Sequence, residues 1–99
     1  MAHFRRNNSK KTRGHPTYIY KRVGNTYHYV GITHSPITRG TKNVKLNVNP
    51  NPNDSRDSYI RPFSSEDSIS DFQKKRLIGW KLNPNDKPKI KQAMKRHKK

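Results

Sequence analysis

The sequence contains no cysteine, no acidic residue before Asp54 and no long apolar run. The absence of cysteine excludes disulfides and thiolate zinc sites, and it suits a reducing compartment such as the cytoplasm. No apolar run approaches the roughly 20 residues that a membrane-spanning helix requires, and residues 1–6 lack the apolar stretch of a secretory signal. We therefore expect a cytoplasmic protein that does not bind membranes.

Positive charge dominates the chain. Lysine and arginine number 23, aspartate and glutamate number 6, and the formal net charge at pH 7 is +17 on 99 residues. Ten of the positive residues precede Asp54, where no negative charge balances them. A compact domain with this charge repels itself unless an anion neutralises it. Because nucleic acid is the commonest polyanion in a cell, RNA or DNA is the first expected partner.

The length and composition indicate one small domain with a basic segment at each end. Only 27% of the residues are hydrophobic, but they fall in clusters rather than evenly. We expect a flexible basic arm at residues 1–14, a single small α+β domain at residues 15–97 and a basic tail at residues 98–99. The arm either follows phosphates or is a disordered, solubilising tail.

Residues 17–33 carry the clearest structural pattern, two β-rich runs that flank Gly24-Asn25. This pattern predicts a β-hairpin with a two-residue turn, in which Val23 pairs with Thr26 and Tyr20 pairs with Tyr29. Alternation then gives the hairpin two different faces. The aliphatic face, expected in the core, carries Ile19, Lys21, Val23, His28, Val30 and Ile32. The aromatic face carries Tyr18, Tyr20, Arg22, Tyr27 and Tyr29.

The rest of the chain predicts more strands and then helices. Residues 34–42 read as a loop, 43–49 as a strand, 49–54 as a turn and 58–63 as a short strand that Pro62 confines to an edge. Acidic residues near Ser64 and the stop at Gly79 predict a helix between them, and a second helix is expected from Asn83 to about Lys95. The expected fold is α+β, with a small antiparallel sheet of three or four strands that begins with a β-hairpin and is followed by two C-terminal helices.

Two surfaces are candidates for nucleic-acid binding. The tyrosine face could stack unpaired bases, although the same rings could instead pack beneath the C-terminal helices. The last helix is strongly basic and could contact phosphates without reading bases. The residues expected to contact nucleic acid are Arg5, Arg6, Lys10, Lys11, Arg13, Tyr18, Tyr20, Arg22, Tyr27, Tyr29, Arg39, Lys42, Lys89, Lys91, Lys95 and Arg96.

Short segments of the hairpin resemble the motifs of the GIY-YIG endonucleases. Tyr18-Ile19-Tyr20 is similar to the first motif, and Tyr29-Val30-Gly31 is similar to the second. Arg39 lies close to the position of the family's arginine, and Glu66 is the only glutamate in the chain. The resemblance implies a nuclease in which a tyrosine and water activate the nucleophile, Arg39 contacts the phosphate and Glu66 holds a divalent cation. The family has a glycine where this chain has Tyr18.

Two histidines suggest a different route to the same reaction. His15 and His34 fall opposite each other just beyond the paired end of the expected hairpin, and Arg39 follows soon after. A metal-independent ribonuclease needs a general base, a general acid and a cation that stabilises the phosphate in the transition state. His15 and His34, or His34 with Arg39, could supply them. The simpler interpretation is two surface histidines.

Three functions follow from these observations. The first is a small nucleic-acid-binding protein that uses phosphate electrostatics, with aromatic stacking that favours RNA or single-stranded DNA. The second is a small nuclease of either kind described above. The third is an interaction protein of a phage or mobile element that docks on an acidic protein or a ribonucleoprotein. We commit to no catalytic residue, metal or cofactor, and we expect a binding protein before an enzyme.

Overall fold

A five-stranded antiparallel sheet is the centre of the computed structural model, which describes residues 2–97. The strands of the chain are β1 (His3–Asn7), β2 (His15–Val23), β3 (Thr26–Thr33), β4 (Ile37–Thr38), β5 (Thr41–Lys42), β6 (Val44–Lys45) and β7 (Tyr59–Ser68). The main sheet has the order β1-β2-β3-β7-β6, and β4 and β5 form a separate two-stranded hairpin within the expected loop.

The predicted hairpin is confirmed as β2 and β3. Gly24 and Asn25 form the turn, and Gly24 has a φ of +57°, a conformation that glycine adopts at little cost. Next to the turn the pairing is also as expected, with Val23 opposite Thr26. Further along, a β-bulge at Tyr20 inserts one extra residue into β2, so that Ile19 pairs with Tyr29. The predicted pairing of Tyr20 with Tyr29 is therefore wrong.

The bulge divides the apolar residues between the two faces of the sheet. One face, which we call the helix face, packs against α1 (Lys87–Met94). Its buried core consists of Phe4, Val30, Ile32, Leu46, Ile60, Ile90 and Ala93. The opposite face carries a second buried cluster of Ile19, Tyr27, Tyr29 and Phe72. Both faces are thus partly covered, and the predicted separation into one aliphatic and one aromatic face is wrong.

The predicted helix over residues 64–79 is also wrong. Residues 64–68 continue β7 and pair with β3, with Val30 opposite Ser64 and Thr26 opposite Ser68. Serine is a weak helix former, and the backbone of this segment completes the ladder of β3, which would otherwise be an open edge. Within residues 64–79 the only helical structure is a 3-10 turn, Ile69–Asp71.

Helical structure is correspondingly scarce. A 3-10 turn, Pro84–Asp86, leads into α1, which is the single α-helix among residues 2–97. The fold is therefore mostly sheet, with five strands, a small second sheet and one C-terminal helix in place of the expected three or four strands and two helices. No helix in the described part of the chain is long and apolar enough to cross a membrane.

The N-terminal segment expected as a flexible arm contains β1, which pairs with β2 along its whole length. Residues 71–77 cover the outer edge of β1, since the backbone N–H of Leu77 donates to Phe4 O (2.8 Å) and that of Gln73 donates to Arg6 O (2.9 Å). The arm prediction is thus wrong for residues 3–7. The tail expected at residues 98–99 lies outside the described residues.

The predicted strand over residues 43–49 is shortened by a side-chain acceptor, and the predicted strand over residues 58–63 is longer than expected. The buried carboxylate of Asp86 accepts hydrogen bonds from the backbone N–H groups of Asn47 (2.8 Å) and Val48 (3.2 Å). These donors are lost to the sheet, so β6 is shorter than the predicted strand over residues 43–49. Pro62 lies in a register shift of β7, where residues 61–63 pair with neither β3 nor β6, so the missing proline N–H costs no ladder hydrogen bond and the strand continues to Ser68.

Candidate anion-binding cavity

A cavity of about 450 Å³ opens on the sheet face opposite α1. Alternate residues of β3 and β7 form its floor, the loop between β1 and β2 forms one wall, and the β4–β5 hairpin forms the other. Its lining residues are Lys11, Thr12, Arg13, His15, Tyr29, Gly31, Thr33, Thr38, Arg39, Arg61, Phe63 and Ser65. We call it the arginine cavity.

Positive charge in the arginine cavity is largely unneutralised. Four lining residues are lysine or arginine, and none is acidic. Lys11 is neutralised by Asp67, whose carboxylate lies 2.8 Å from the Lys11 ammonium. Arg13, Arg39 and Arg61 form no ion pair within residues 2–97. Three guanidinium charges therefore line one cavity without a carboxylate partner.

Arg61 is the most firmly held of the three arginines. Its Nη1 donates to Asn43 Oδ1 (2.7 Å) and to the carbonyl of Thr38 (3.5 Å), and its guanidinium lies 4.7 Å from the centre of the Phe63 ring. Burial, followed by the nearby charge of Arg39, lowers the pKa of the Arg61 guanidinium from its usual value. An anion in the cavity would relieve this repulsion while the neutral contacts keep the guanidinium oriented.

Gly31 makes room for Arg61 on the floor of the cavity. A Cβ at this position would lie 3.0 Å from Arg61 Cγ, closer than side chains normally approach. The aliphatic part of the Arg61 side chain thus packs over Gly31, the position at which β3 has no side chain.

Arg13 and Arg39 project from strained turns on opposite walls. Arg13 has a φ of +50° and Arg39 a φ of +49°, and each precedes a glycine with positive φ. This left-handed conformation costs most residues roughly 1–2 kcal/mol, and asparagine is the usual choice before glycine in such a turn. Neither guanidinium makes a hydrogen bond within residues 2–97. Strained backbone of this kind clusters at active sites and ligand-binding sites.

His15 and Tyr29 present defined hydrogen-bonding states to the cavity. The carbonyl of Thr12 lies 2.5 Å from His15 Nδ1, and because a carbonyl only accepts, Nδ1 carries the proton and a neutral ring keeps Nε2 as an acceptor. The Tyr29 hydroxyl donates to Asp67 (2.6 Å). Burial, together with this hydrogen bond, raises the pKa of Tyr29 above its usual value, so its hydroxyl stays protonated.

Two of the four candidate catalytic residues come together and two do not. His15 and Arg39 both line the arginine cavity. His34 pairs with Asp54 (3.3 Å) on the helix face of the sheet, because the bulge at Tyr20 puts His15 and His34 on opposite faces. Glu66 is exposed and pairs with His28 (3.3 Å), also on the helix face. The predicted pairing of His15 with His34 and the implied joint site of Arg39 and Glu66 are therefore wrong.

The four tyrosines are distributed over both faces and are largely covered. Tyr27 and Tyr29 retain only 6% and 3% of their exposure in the cluster opposite α1. Tyr18 packs edge-on against Phe4 (5.2 Å between ring centres), and burial raises the pKa of Tyr18. The Tyr20 hydroxyl is hydrogen-bonded to Ser64 Oγ (2.5 Å) on the helix face. The expected aromatic face of four tyrosines does not exist in this fold.

Several predicted phosphate-binding side chains instead bind the protein. Arg5 donates to the carbonyls of Gln73 and Lys74, Arg6 to that of Gly14, Arg22 to that of Gly24 and Lys89 to that of Lys45. Others are exposed and make no side-chain hydrogen bond or ion pair with the described residues. These are Lys10, Lys42, Lys91, Lys95 and Arg96.

Arg61 and Phe63 are the most important of the cavity residues that the sequence did not reveal. An arginine between Ile60 and Pro62 in a short apolar strand was the only available signal, and it indicated no chemistry. Within residues 2–97 no group of three or more histidine, aspartate or glutamate side chains is placed to hold a metal ion. Comparison of the chain with models of protein families, with curated proteins and with solved structures finds no match.

Proposed function

We propose that the protein binds the phosphates of RNA or single-stranded DNA and that the arginine cavity is its main anchoring site. The observation that carries the proposal is the convergence of Arg13, Arg39 and Arg61 on one cavity whose lining has no acidic residue, with no ion pair from these arginines to any residue of 2–97. Guanidinium groups are well suited to phosphate because their planar donors match its oxygens. A net charge of +17 adds a long-range attraction for any polyanion.

The shape of the cavity favours a single strand over a duplex. Its volume of about 450 Å³ is in the range that accommodates small ligands, and the cavity is a concave site between two loops. A flexible strand can turn one nucleotide inward, whereas the phosphates of a duplex lie on a convex, regular surface. An aromatic face of four tyrosines no longer contributes to this preference, since Tyr27 and Tyr29 are buried and Tyr18 and Tyr20 pack against the core of the helix face.

Salt titrations with matched variants test the anchoring role. Fluorescence anisotropy with a labelled oligouridine, an oligothymidine and a DNA duplex should show tighter binding of the single strands, with affinity falling steeply between about 50 and 200 mM salt. Asparagine tolerates the left-handed backbone of Arg13 and Arg39 and is the substitution of choice at both positions. The slope of log affinity against log salt should become shallower by about 0.7 for each arginine that no longer binds a phosphate.

A control separates the cavity from net charge. Lys75 and Lys81 are exposed and lie outside the cavity and the predicted binding residues. The double variant Lys75→Gln/Lys81→Gln loses the same two charges as the double variant Arg13→Asn/Arg39→Asn and should keep most of the affinity, whereas the arginine variant should not. An equal loss in both double variants would reject the cavity as the anchor.

Co-purification tests the class of partner. The protein should purify with nucleic acid, recognisable by its ultraviolet absorbance ratio, and nuclease treatment should release it. A tight complex that persists after nuclease treatment would favour an acidic protein partner and contradict the proposal.

A second candidate function is metal-independent RNA cleavage, because His15 and Arg39 share the cavity. His15 Nε2 would take the proton of a ribose 2′-hydroxyl, and the 2′ oxygen would attack phosphorus while the arginines stabilise the added charge. The bond from phosphorus to the 5′ oxygen would break, the 5′ oxygen would take a proton from water, and a 2′,3′-cyclic phosphate would remain. His15→Gln should abolish cleavage in the presence of a chelator, and His97→Gln should not. Cleavage that survives His15→Gln would rule out this site.

A further inference from the structure

We infer that the arginine cavity binds the terminal phosphate of a nucleic-acid strand, a phosphomonoester, in preference to an internal phosphodiester. The inference rests on the proposed function and specifies the group that the cavity selects. It follows from the charge, the hydrogen-bond donors and the two walls of the cavity.

The charge of the cavity exceeds that of a single diester. Lys11 is neutralised by Asp67, which leaves the three arginines without a counter-charge among residues 2–97. A phosphodiester supplies one negative charge, whereas a phosphomonoester carries about −1.5 to −2 at neutral pH. A terminal phosphate together with the adjacent diester therefore neutralises the three guanidinium groups.

The donors match three terminal oxygens better than two. Arg61 uses only Nη1 in hydrogen bonds with the described residues, so its Nη2 and Nε remain for a ligand. The guanidinium groups of Arg13 and Arg39 make no hydrogen bond within residues 2–97. A phosphomonoester offers three terminal oxygens to these three forks, and a diester offers two.

The walls also favour the end of a strand. The loop that carries Arg13 and the hairpin that carries Arg39 stand on two sides of the floor. An internal phosphate would have to bring the strand in and lead it out between them, whereas a terminal phosphate enters with one strand segment only.

Competition between matched oligonucleotides tests the inference. One sequence of labelled single strand is prepared with a 5′-phosphate, with a 3′-phosphate and with hydroxyl groups at both ends. We expect one phosphorylated form to bind about tenfold more tightly than the dihydroxyl form, equivalent to about 1.4 kcal/mol. Arg39→Asn should remove this preference, and Lys75→Gln should retain it. Circular dichroism of both variants checks that each remains folded.

The remaining outcomes each decide between explanations. Equal, salt-sensitive binding of all three strands would overturn the inference and leave the proposed function standing, whereas no binding of any strand would overturn both. Inorganic phosphate and a nucleoside monophosphate serve as competitors. If either displaces the phosphorylated strand at an equal concentration, the ligand is a free phosphate compound and the strand-end inference is wrong. A preference that persists in Arg39→Asn also overturns it.

Discussion

Replacing Asp67 with asparagine should weaken the fold and strengthen nucleic-acid binding at once. The carboxylate joins three parts of the molecule, since it pairs with Lys11 (2.8 Å) and accepts hydrogen bonds from Asn7 (2.9 Å) and Tyr29 (2.6 Å). Asparagine has nearly the same shape but no charge. It therefore removes the ion pair, weakens the two hydrogen bonds and leaves Lys11 as an additional positive charge at the rim of the arginine cavity.

The expected loss of stability can be built from these contacts. The Lys11 side chain is 51% exposed, so its ion pair contributes about 0.5 kcal/mol. Each hydrogen bond changes from a charged to a neutral acceptor and should weaken by about 0.7 kcal/mol. The free energy of unfolding should fall by about 2 kcal/mol, which corresponds to about 10 °C in the melting temperature of a domain of this size.

The pH dependence provides a second, independent readout. Burial alone would raise the pKa of the Asp67 carboxyl, but hydrogen bonds from Lys11, Tyr29 and Asn7 outweigh it and hold the pKa below its usual value. A carboxyl with a lowered pKa stabilises the folded state above the pKa of the unfolded chain, and this contribution disappears as the pH falls through the folded value. The stability difference between wild type and Asp67→Asn should therefore be full near pH 7 and shrink below about pH 4.

Urea unfolding followed by circular dichroism measures the stability, and anisotropy with a single strand measures the binding. The matched control is Asp57→Asn, since Asp57 is 65% exposed and pairs with an exposed Lys45 at 3.5 Å. That variant should lose less than about 0.5 kcal/mol. If Asp67→Asn is no less stable than Asp57→Asn at neutral pH, the carboxylate does not hold these elements together and the reasoning fails.

Three further predictions concern the core, a strained turn and a buried histidine. Ile60→Ala should lower the free energy of unfolding by about 3 kcal/mol in urea, because Ile60 is fully buried; a loss below about 1 kcal/mol would contradict this packing. Arg39→Asn should leave stability equal or raise it by up to about 1 kcal/mol, since asparagine accepts the left-handed backbone, while affinity falls; a lower melting temperature would refute the strain. Burial, then the charges of Arg76 and Arg5, lowers the pKa of the folded-state His3 to about 4. Between pH 6.5 and 4 the unfolded chain therefore binds more protons than the folded chain, and the free energy of unfolding should decrease as the pH is lowered through this range. His3→Phe should flatten that fall, and an unchanged slope would show that His3 is not its source.

In the β2–β3 hairpin, the local sequence pattern predicts the turn and the strand pairs next to it, but not the pairs beyond Tyr20. Gly24-Asn25 and the flanking β-rich runs predict the turn and the adjacent pairs, because turn geometry acts over a few residues. The bulge at Tyr20 has no such local cause. Its extra residue is stabilised by contacts with the helix face, including the hydrogen bond to Ser64. Alternation in the sequence is compatible with either register, so the division of the tyrosines between faces depended on tertiary packing.

At residues 64–68 the local sequence pattern predicts a helix, but long-range strand pairing with β3 determines the structure. Serine and acidic residues there are typical of a helix N-terminus. The same residues pair with β3 in the folded protein, and Asp67 contacts Lys11 and Tyr29 rather than a helix dipole. Backbone pairing with β3 satisfies a whole row of donors and acceptors, which outweighs a weak helix propensity.

The sequence alone determined the amount of charge, its excess in the N-terminal half and the position of one hairpin turn, because counts and short-range turn geometry need no partner elsewhere in the chain. Only the tertiary structure decided which charges remain unneutralised. Asp67 neutralises Lys11, whereas the loop of Arg13, the hairpin of Arg39 and the bulged strand of Arg61 bring three arginines to one cavity. Electrostatic interaction depends on distance, and long-range strand pairing sets these distances.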